Sequence, residues 1–385
     1  MRKICIITGT RAEYGLLSNL MQKVKNDDDL QLQIIATNMH LSPEFGLTYK
    51  EIEADGFIID KKVQMLLSAD NSNATVKSMG LAMIGFADAY EDLKPDLIII
   101  LGDRYEMLMA ASAALIYKIP IAHIAGGEIT EGAYDDAIRH SITKMSHLHF
   151  TATEEYRKRV IQLGESPDRV FNTGAIGIDN IKHIELLSKT EFEKSINFSI
   201  GNKSLLVTFH PVTLEKDTAE QQCKNLLSVL SKYADYKIIF TLPNSDTDGR
   251  VIIQLINESV KTHSEQAIVV SSLGKIRYLS ALKYVTAVIG NSSSGIVEVA
   301  SFGIPTLNIG DRQRGRIAAS SVINCGTSVS DISKGMDIVL SDKTVMSAKS
   351  AKNPYEKKDT AHEIYRVIKT FSLENSIKKT FYNLP

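Results

Sequence analysis

Short aliphatic runs alternate with amphipathic stretches along the whole chain. The runs lack the polar alternation of a half-exposed strand, which is typical of parallel strands buried on both faces. The runs are Ile4–Thr8, Gln31–Thr37, Asp96–Leu101, Pro120–Ile124 and Leu148–Thr151, and then Leu205–Phe209, Lys237–Leu242, Ala267–Ser271, Ala287–Ile289 and Pro305–Ile309. The amphipathic stretches are Tyr105–Tyr117, Asp136–Met145, Glu154–Leu163 and Ala219–Tyr233. This alternation predicts βαβ units, and the two series predict two doubly wound parallel-sheet α/β domains.

The turn-rich segment 172–177 separates the two series. We predict an N-terminal domain over residues 1–173 and a C-terminal domain over residues 174–360. In the remaining residues, 361–385, the stretch Ala361–Phe371 has the spacing of an amphipathic helix. Ligands of open parallel sheets bind beyond the carboxyl ends of the strands. The residues that follow each aliphatic run are therefore the first candidates for function.

Charge and hydropathy exclude some classes of protein. The 385 residues include 44 Lys and Arg and 45 Asp and Glu, a formal net charge of -1, whereas a dedicated nucleic-acid-binding protein should carry a basic excess. The aliphatic run Leu97–Leu101 is too short to span a bilayer. Thr8–Arg11 interrupts the apolar N-terminus before it could form a signal peptide. We expect a cytoplasmic protein that binds neither nucleic acid nor membrane.

The cysteines and histidines give no sign of a metal or a disulfide framework. The three cysteines, Cys5, Cys223 and Cys325, are widely spaced and form no CxxC pair. No HExxH or other metal-ligand spacing is present either. The sequence therefore predicts a protein without a metal site.

Polar residues follow two runs of the first series. Gly9-Thr10-Arg11 is either an anion site, with backbone N–H groups and the Arg11 guanidinium as donors, or a bare turn between strand and helix. Asp103 follows the run that ends at Leu101. It is either a general acid or base at a strand end or the cap of the next helix.

A second acidic stretch follows the fourth run. A pair of glycines precedes Glu128 and lets the backbone approach a ligand closely. The next predicted helix brings Asp135, Arg139 and His140 to the same region, and residues three or four apart share a helix face. We predict that Glu128 and Asp135 act as acid or base and that Arg139 and His140 contact the substrate.

The second series ends in groups suited to a phosphate. The Gly-Asn-Ser-Ser-Ser-Gly segment 290–295 is either a phosphate nest, built from N–H groups and hydroxyls, or an over-capped helix. The candidate ligands that follow these runs are His210, Asn244, Asn291, Ser292 and Ser293.

Charged residues further along favour the phosphate interpretation. Glu298 lies one turn into the predicted helix and could accept both hydroxyls of a ribose. Arg312, Arg314 and Arg316 lie within five residues, as a solvated basic loop or as an anion clamp. Because the loop follows a phosphate nest, we favour the clamp, with Arg312 and Arg316 as ligands.

Seven motifs, met in one order along the chain, resemble those of the hydrolysing UDP-N-acetylglucosamine 2-epimerases of bacterial sialic-acid biosynthesis. The resemblance runs from residue 3 to about residue 370, and the combination is specific although each motif alone is weak. The motifs are Gly9–Gly15, Gly102–Arg104, His123–Glu128, Ile138–His140, His210-Pro211, Gly290–Gly295 and Gly310–Arg316.

The resemblance implies a GT-B fold, in which two Rossmann-like domains face each other across a cleft and the C-terminal helix crosses back to the first domain. It also implies a homodimer or a dimer of dimers. The implied reaction converts UDP-N-acetylglucosamine and water to N-acetylmannosamine and UDP, through a 2-acetamidoglucal. It needs no redox cofactor, and no metal is implied because arginines can bind the diphosphate. The implied partners are the nucleotide sugar and UDP.

The family's functional positions are carried over residue by residue. The resemblance implies catalytic roles for Asp103, Asp135 and His210. It implies UDP binding by Arg11, His210, Ser292, Ser293, Glu298 and Arg316. Several relatives have a catalytic Glu where this chain has Ala125, and our hypothesis is that Glu128, the nearest acid, replaces it.

Other functions stay open at this point. A close sister group acts on UDP-N,N'-diacetylbacillosamine in legionaminic-acid synthesis, and a non-hydrolysing epimerase would add UDP back. A GT-B glycosyltransferase shares the sheet plan and the ribose-binding Glu, but it should carry an acceptor site, which residues 1–173 do not suggest. A non-catalytic nucleotide-sugar sensor would not need Asp103, Glu128 and Asp135. The leading prediction is the hydrolysing epimerase of UDP-N-acetylglucosamine.

Overall fold

The computed structural model describes residues 1–67, 69, 71–212, 214–215, 218–243, 249–374 and 376–385, with the backbone alone at 179, 180, 182 and 183. The chain divides into two compact units. Unit 1 comprises Met1–Glu128, Asp135–Asn180 and Tyr355–Pro385, and unit 2 comprises Ile129–Tyr134 and Ile181–Pro354. The chain thus changes unit at 180/181 and 354/355, where the sequence predicts 173/174 and 360/361. The short segment Ile129–Tyr134 belongs to unit 2 although the first series surrounds it.

Unit 1 is built on a parallel sheet. Its strands are β1 (Arg2–Thr8), β2 (Leu30–Thr37), β3 (Lys61–Val63), β4 (Leu97–Leu101), β5 (Ile121–Ile124), β6 (Leu148–Thr151) and β7 (Val170–Asn172). Over the described residues they form one seven-stranded sheet of order β3-β2-β1-β4-β5-β6-β7. The order reverses beside β1, so the turns after β1 and β4 flank a topological switch point, where such sheets bind ligands.

Helices cover both faces of this sheet. They are α1 (Arg11–Lys25), α2 (Tyr49–Ala54), α3 (Ser72–Leu93), α4 (Tyr105–Ile116), α5 (Asp135–Met145), α6 (Glu154–Gln162) and α7 (Ile176–His183), with short 3-10 helices at Asn38–Leu41, Pro43–Phe45 and Pro167–Arg169. Alternate residues of β4 enter opposite cores, because successive strand side chains point to opposite faces. Ile99 packs in the cluster that includes Leu17 of α1, whereas Ile98 packs in the cluster that includes Phe86 of α3. Burial on both faces explains the unbroken aliphatic runs.

Unit 2 repeats the plan. Its strands are β8 (Ser204–Thr208), β9 (Lys237–Thr241), β10 (Ala267–Val270), β11 (Ala287–Gly290), β12 (Thr306–Ile309) and β13 (Val322–Cys325). Within the described part of the chain they form a six-stranded parallel sheet of order β10-β9-β8-β11-β12-β13. Its helices are α8 (Lys189–Ile196), α9 (Ala219–Leu230), α10 (Gly249–Thr262), α11 (Gly274–Leu282), α12 (Ser294–Val297), α13 (Val329–Val339) and α14 (Asp342–Ala348), with a 3-10 helix at Val299–Phe302.

The last helix, α15 (Thr360–Thr370), is part of unit 1. Its apolar face, with Ile364 and Ile368, lies in the same core cluster as α1. Polar contacts fix its end, since Lys369 pairs with Asp27 at 2.7 Å. The end of the chain therefore completes the core that begins at β1.

The predicted fold class is confirmed, since both units are α/β with parallel sheets. Each of the ten aliphatic runs overlaps a strand of these sheets. The prediction missed β3, β7 and β13, which lie at sheet edges. None of the described helices is long and apolar enough to cross a bilayer.

Candidate active site

The three predicted acids lie on segments that meet at one edge of the unit 1 sheet. Asp103 follows β4 after Gly102, whose φ of +79° gives a sharp turn. Glu128 follows β5, which pairs with β4 through Leu101 and Ile124, and Asp135 is the first residue of α5. The carboxyl ends of neighbouring parallel strands share an edge, so the segments carrying Asp103 and Glu128 are neighbours.

Arg139 connects these segments. Its side chain is only 1% exposed, and its guanidinium forms an ion pair with Asp103. The same group donates to Asp136 at 3.2 Å and to the backbone carbonyl of Glu128 at 3.0 Å. A buried guanidinium requires such partners because an unpaired buried charge is costly. These contacts give Arg139 a structural role, since it holds the acid-bearing segments together, and its contact with the substrate stays a prediction.

His140 lies on the same helix at the edge of this network. Its Nε2 is 3.5 Å from Asp136, one turn earlier. Burial, opposed by the Asp136 carboxylate, lowers the pKa of His140. An imidazole with a lowered pKa is neutral near pH 7 and can donate or accept a hydrogen bond.

The loop that carries Glu128 has an unusual backbone. Ala125 has φ +67°, a left-handed conformation that residues other than glycine rarely adopt. Gly127 has φ +79°, and a Cβ atom there would lie 2.4 Å from the carbonyl oxygen of Tyr156. The loop is thus held close to α6, and Glu128 is almost fully buried at its end. Local strain of this kind is characteristic of functional sites.

The backbone N–H groups of the turn after β1 have hydrogen-bond partners within the chain. Thr10 and Glu13 form a capping box, and the Glu13 carboxylate accepts hydrogen bonds from the N–H groups of Gly9 at 2.7 Å and Thr10 at 3.1 Å. These donors are therefore not offered to an anion, which corrects the anion-site alternative for the backbone of this turn. Arg11 pairs with Glu51 at 2.7 Å and keeps part of its side chain in solvent.

A buried carboxylate, Glu106, lies beneath the same turn. It accepts from Arg104 at 2.7 Å, and a Cβ atom on Gly9 would lie 2.5 Å from its Oε1. Burial and the nearby Glu106 charge raise the pKa of Glu13. Glu106 thus joins the turns that follow β1 and β4, a contact that sequence reasoning missed.

In unit 2, the Asn291 side chain forms hydrogen bonds with the backbone of His210. The Asn291 side chain accepts from the His210 N–H at 2.7 Å and donates to the His210 carbonyl at 2.8 Å. The Asn291 carbonyl accepts from Arg312 at 3.1 Å and Gln313 at 3.0 Å. Asn291 therefore supports His210 and Arg312, and its role as a UDP ligand stays a prediction. Gln313, which is buried, was missed by the sequence analysis.

The serine segment follows a close strand contact. A Cβ atom on Gly290, which has φ +137°, would lie 1.9 Å from the Thr208 carbonyl oxygen, so only glycine fits between β11 and β8. The helix behind it, α12, has four residues and gives little macrodipole. The predicted nest therefore depends on its hydroxyls, of which Ser292 and Ser293 are partly exposed. Glu298 caps the end of α12.

The arginine loop packs on the inserted segment Ile129–Tyr134. A Cβ atom on Gly315 would lie 2.4 Å from Ile129, and one on Gly132 would lie 2.9 Å from Cα of Arg312. Arg314, which is largely exposed, pairs with Glu131 at 3.2 Å. The part of the chain between Glu128 and Asp135 therefore supports the loop that carries Arg312 and Arg316.

Two further sequence predictions concern Asn244 and the absence of a metal site, and both stay predictions. Asn244 lies outside the described residues. As for metals, the described residues contain no group of three His, Cys, Asp or Glu side chains that could hold an ion. The ligand roles of Arg11, His140, His210, Ser292, Ser293, Glu298, Arg312 and Arg316 remain predictions.

A family model described as UDP-N-acetylglucosamine 2-epimerase matches residues 22–369. The chain belongs to this family. The resemblance found in the sequence motifs is therefore confirmed, and the chain is a member of an enzyme family.

Individual members of the family are similar over most of their length. The GDP/UDP-N,N'-diacetylbacillosamine 2-epimerase (hydrolyzing) of Campylobacter jejuni is 49% identical over 323 residues, which is 84% of either chain. The polysialic acid biosynthesis protein P7 of Escherichia coli is 38% identical over 387 residues and covers 100% of this chain and 98% of its own.

A solved structure in the family has the same fold. The UDP-GlcNAc 2-epimerase of Neisseria meningitidis, crystallised with bound UDP-GlcNAc, superimposes with a TM-score of 0.81. The match covers 95% of this chain and 99% of that one at 18% identity. The family fold is thus shared at low identity, and it supports the two Rossmann-like units found here.

Proposed function

We propose that the chain is a hydrolysing 2-epimerase, which converts UDP-N-acetylglucosamine and water to N-acetylmannosamine and UDP. Membership of the epimerase family supports the reaction class. The observation that carries the proposal is the acid-bearing network around Arg139, which holds Asp103 and the Glu128 loop at the sheet edge beside α5. Relatives in bacillosamine and polysialic acid pathways support a place in the synthesis of nonulosonate sugars.

The first step is the elimination of UDP. The C2 proton is not beside a carbonyl and is barely acidic, so its removal must be coupled to loss of the diphosphate. A carboxylate takes the C2 proton while the bond from C1 to the diphosphate oxygen breaks. The electron pair of the C2–H bond then forms the C1–C2 double bond of 2-acetamidoglucal. The transition state carries positive charge at C1, which a nearby carboxylate stabilises.

The second step is the hydration of the glycal. A base takes one proton of water as its oxygen bonds to C1, and an acid delivers a proton to C2 on the face opposite to the one that lost it. The configuration at C2 is thereby inverted. We assign the proton transfers to Asp103, Glu128 and Asp135, and the stabilisation of the leaving diphosphate to His210.

The UDP ligands proposed in unit 2 lead to a binding prediction. Replacing Glu298 with Ala should weaken UDP binding by about tenfold or more, because a charge-assisted hydrogen bond is worth roughly 1.5–3 kcal/mol. Ser292→Ala should have a smaller effect in the same direction. Isothermal titration calorimetry with UDP measures both, and Glu220→Ala on the exposed side of α9 is the control. An unchanged affinity in Glu298→Ala would reject the ribose assignment.

UDP-N,N'-diacetylbacillosamine is a second candidate substrate. The Campylobacter jejuni relative, at 49% identity, carries that sugar in its name. Both candidates share the UDP group and the 2-acetamido group, and they differ at C4 and C6 of the sugar. The chemistry at C1 and C2 is the same for both.

Product analysis decides between these activities. Each UDP sugar is offered separately, and proton NMR follows the products. Free N-acetylmannosamine and UDP from UDP-N-acetylglucosamine is the expected result. Turnover of the bacillosamine derivative alone would shift the assignment to the second candidate, and an epimerised UDP sugar would indicate a non-hydrolysing enzyme. No turnover of either sugar would overturn the proposed function.

We also propose a homodimer or a dimer of dimers, which exposed apolar side chains of unit 1 support. Val76, Leu81 and Ile84 lie on the exposed face of α3, and Leu115 and Ile116 end the neighbouring α4. Exposed apolar side chains mark protein interfaces where they form a patch. Light scattering should give two or four times the chain mass of 42.5 kDa, and a monomer would contradict the proposal.

A further inference from the structure

A buried pair, His123 and Thr143, lies at the junction of the three segments that carry the acids. His123 is in β5, Thr143 is in α5, and both side chains are fully buried. The His123 Nδ1 lies 3.0 Å from the Thr143 hydroxyl, and its Nε2 lies 2.7 Å from the Gly102 carbonyl oxygen. One imidazole thus joins the turn that carries Asp103 to the helix that begins at Asp135.

The third segment rests on the same pair. A Cβ atom on Gly126 would lie 2.9 Å from the Thr143 hydroxyl oxygen and 3.1 Å from the His123 Nδ1. The loop that leads to Glu128 therefore packs directly on the His123–Thr143 hydrogen bond. Glycine at this position lets the loop come so close.

The partners fix the tautomer of His123. The Gly102 carbonyl can only accept, so Nε2 must carry the proton. Burial lowers the pKa of His123 to about 3, so the ring is neutral and Nδ1 is an acceptor. The Thr143 hydroxyl donates to that acceptor. A ring with its proton on Nδ1 would face the Gly102 carbonyl with a lone pair and lose the contact.

We infer that His123 and Thr143 are positioning residues. The Gly102 carbonyl selects the His123 tautomer, the Thr143 hydroxyl donates to the Nδ1 that this tautomer leaves as an acceptor, and the pair holds the Gly102–Asp103 turn, the Glu128 loop and α5 in their relative positions. The inference rests on the proposed function, because it concerns the alignment of the proposed acids and bases. His123 itself transfers no proton, since it is neutral and buried. Small displacements of reacting groups have large effects on rate, so this alignment controls kcat.

The first test removes the hydroxyl alone. Thr143→Val keeps the side-chain shape and leaves Nδ1 without a donor, and we expect kcat to fall roughly tenfold or more with KM unchanged. Thr143→Ser restores the donor and should restore kcat. Gly126→Ala should lower kcat in the same way, because its Cβ pushes on the pair. Thr360→Val is the matched control, since it removes a buried hydroxyl that bonds the Thr173 carbonyl at the edge of β7.

The second test reads the tautomer without any activity. Long-range proton–nitrogen NMR of protein labelled with nitrogen-15 histidine reports which ring nitrogen is protonated, and His123→Gln identifies the signal. We expect the proton on Nε2 in the unmodified protein and in Thr143→Val, and a shifted Nδ1 signal in Thr143→Val because that nitrogen loses its hydrogen-bond donor. A proton on Nδ1 in the unmodified protein, or full kcat in Thr143→Val, would overturn the inference. An inactive unmodified protein with the Nε2 tautomer would instead overturn the proposed function.

Discussion

Turnover should fall by roughly 10²–10⁴-fold when Asp103 is replaced by Asn, the usual contribution of a positioned acid or base. Asn keeps an oxygen that can accept from Arg139, but it can neither take nor give the proton. UDP affinity should stay close to normal, because the proposed UDP ligands Glu298 and Ser292 lie in unit 2 and Asp103 lies in unit 1. Steady-state kinetics and calorimetry with UDP separate the two effects.

Asp136→Asn is the matched control for this variant. Asp136 also accepts a hydrogen bond from Arg139, at 3.2 Å. Its replacement therefore reduces the stabilisation of the same buried guanidinium and leaves Asp103 unchanged. If Asp103 serves only as a partner of Arg139, both variants should lose similar activity and show similar falls in melting temperature. A turnover near normal in folded Asp103→Asn would exclude the catalytic role.

The fold could be predicted where strands are buried on both faces. The five residues Leu97–Leu101 of β4 are all buried, so the strand appears in the sequence as an unbroken aliphatic run. Among the edge strands, β3, β7 and β13 give no such signal. Lys61–Val63 exposes Lys62, and Val322–Cys325 has no fully buried residue. An edge strand is fixed by pairing with its neighbour, which no local pattern records.

The sequence predicted which segments carry the candidate site, but it predicted the side-chain contacts within the site less well. Asp103 and Glu128 follow neighbouring strands as expected, because parallel strands end at one edge of a sheet. Arg139 and Asn291 were assigned to the ligand because the sequence shows a charge or an amide but not its partner. Their partners lie far away in sequence, 36 residues for Arg139 with Asp103 and 81 for Asn291 with His210.

One local signal for the turn after β1 was present in the sequence. Thr10 is followed three residues later by Glu13, the spacing of a capping box, in which the acid turns back to the N–H groups of the turn. This spacing favours a turn satisfied by its own side chains. By contrast, the burial of Glu106 beneath Gly9 depends on packing between β1 and β4 and has no local signature.

Glu128→Gln should stop product formation with little loss of UDP affinity. The variant tests whether Glu128 replaces the catalytic Glu that several relatives have at the position of Ala125. The amide has nearly the shape of the acid but cannot exchange a proton, so we expect a loss of roughly 10²–10⁴-fold in turnover. The Glu128 carbonyl, which accepts from Arg139, is unaffected by the change. Glu131→Gln is the control. Glu131 lies on the adjoining segment, and the ion pair that it forms is with an exposed arginine, Arg314.

Isotope incorporation shows which role Glu128 has. In deuterated water, a working enzyme places deuterium at C2 of the product sugar, since that proton comes from solvent during hydration. Full turnover and normal incorporation in Glu128→Gln would move the proton transfers to Asp103 and Asp135. A lower melting temperature with unchanged turnover per folded molecule would make Glu128 a structural residue only. Adding Ala125→Glu, which restores the carboxylate that several relatives have at this position, should partly rescue the variant if Glu128 replaces that acid.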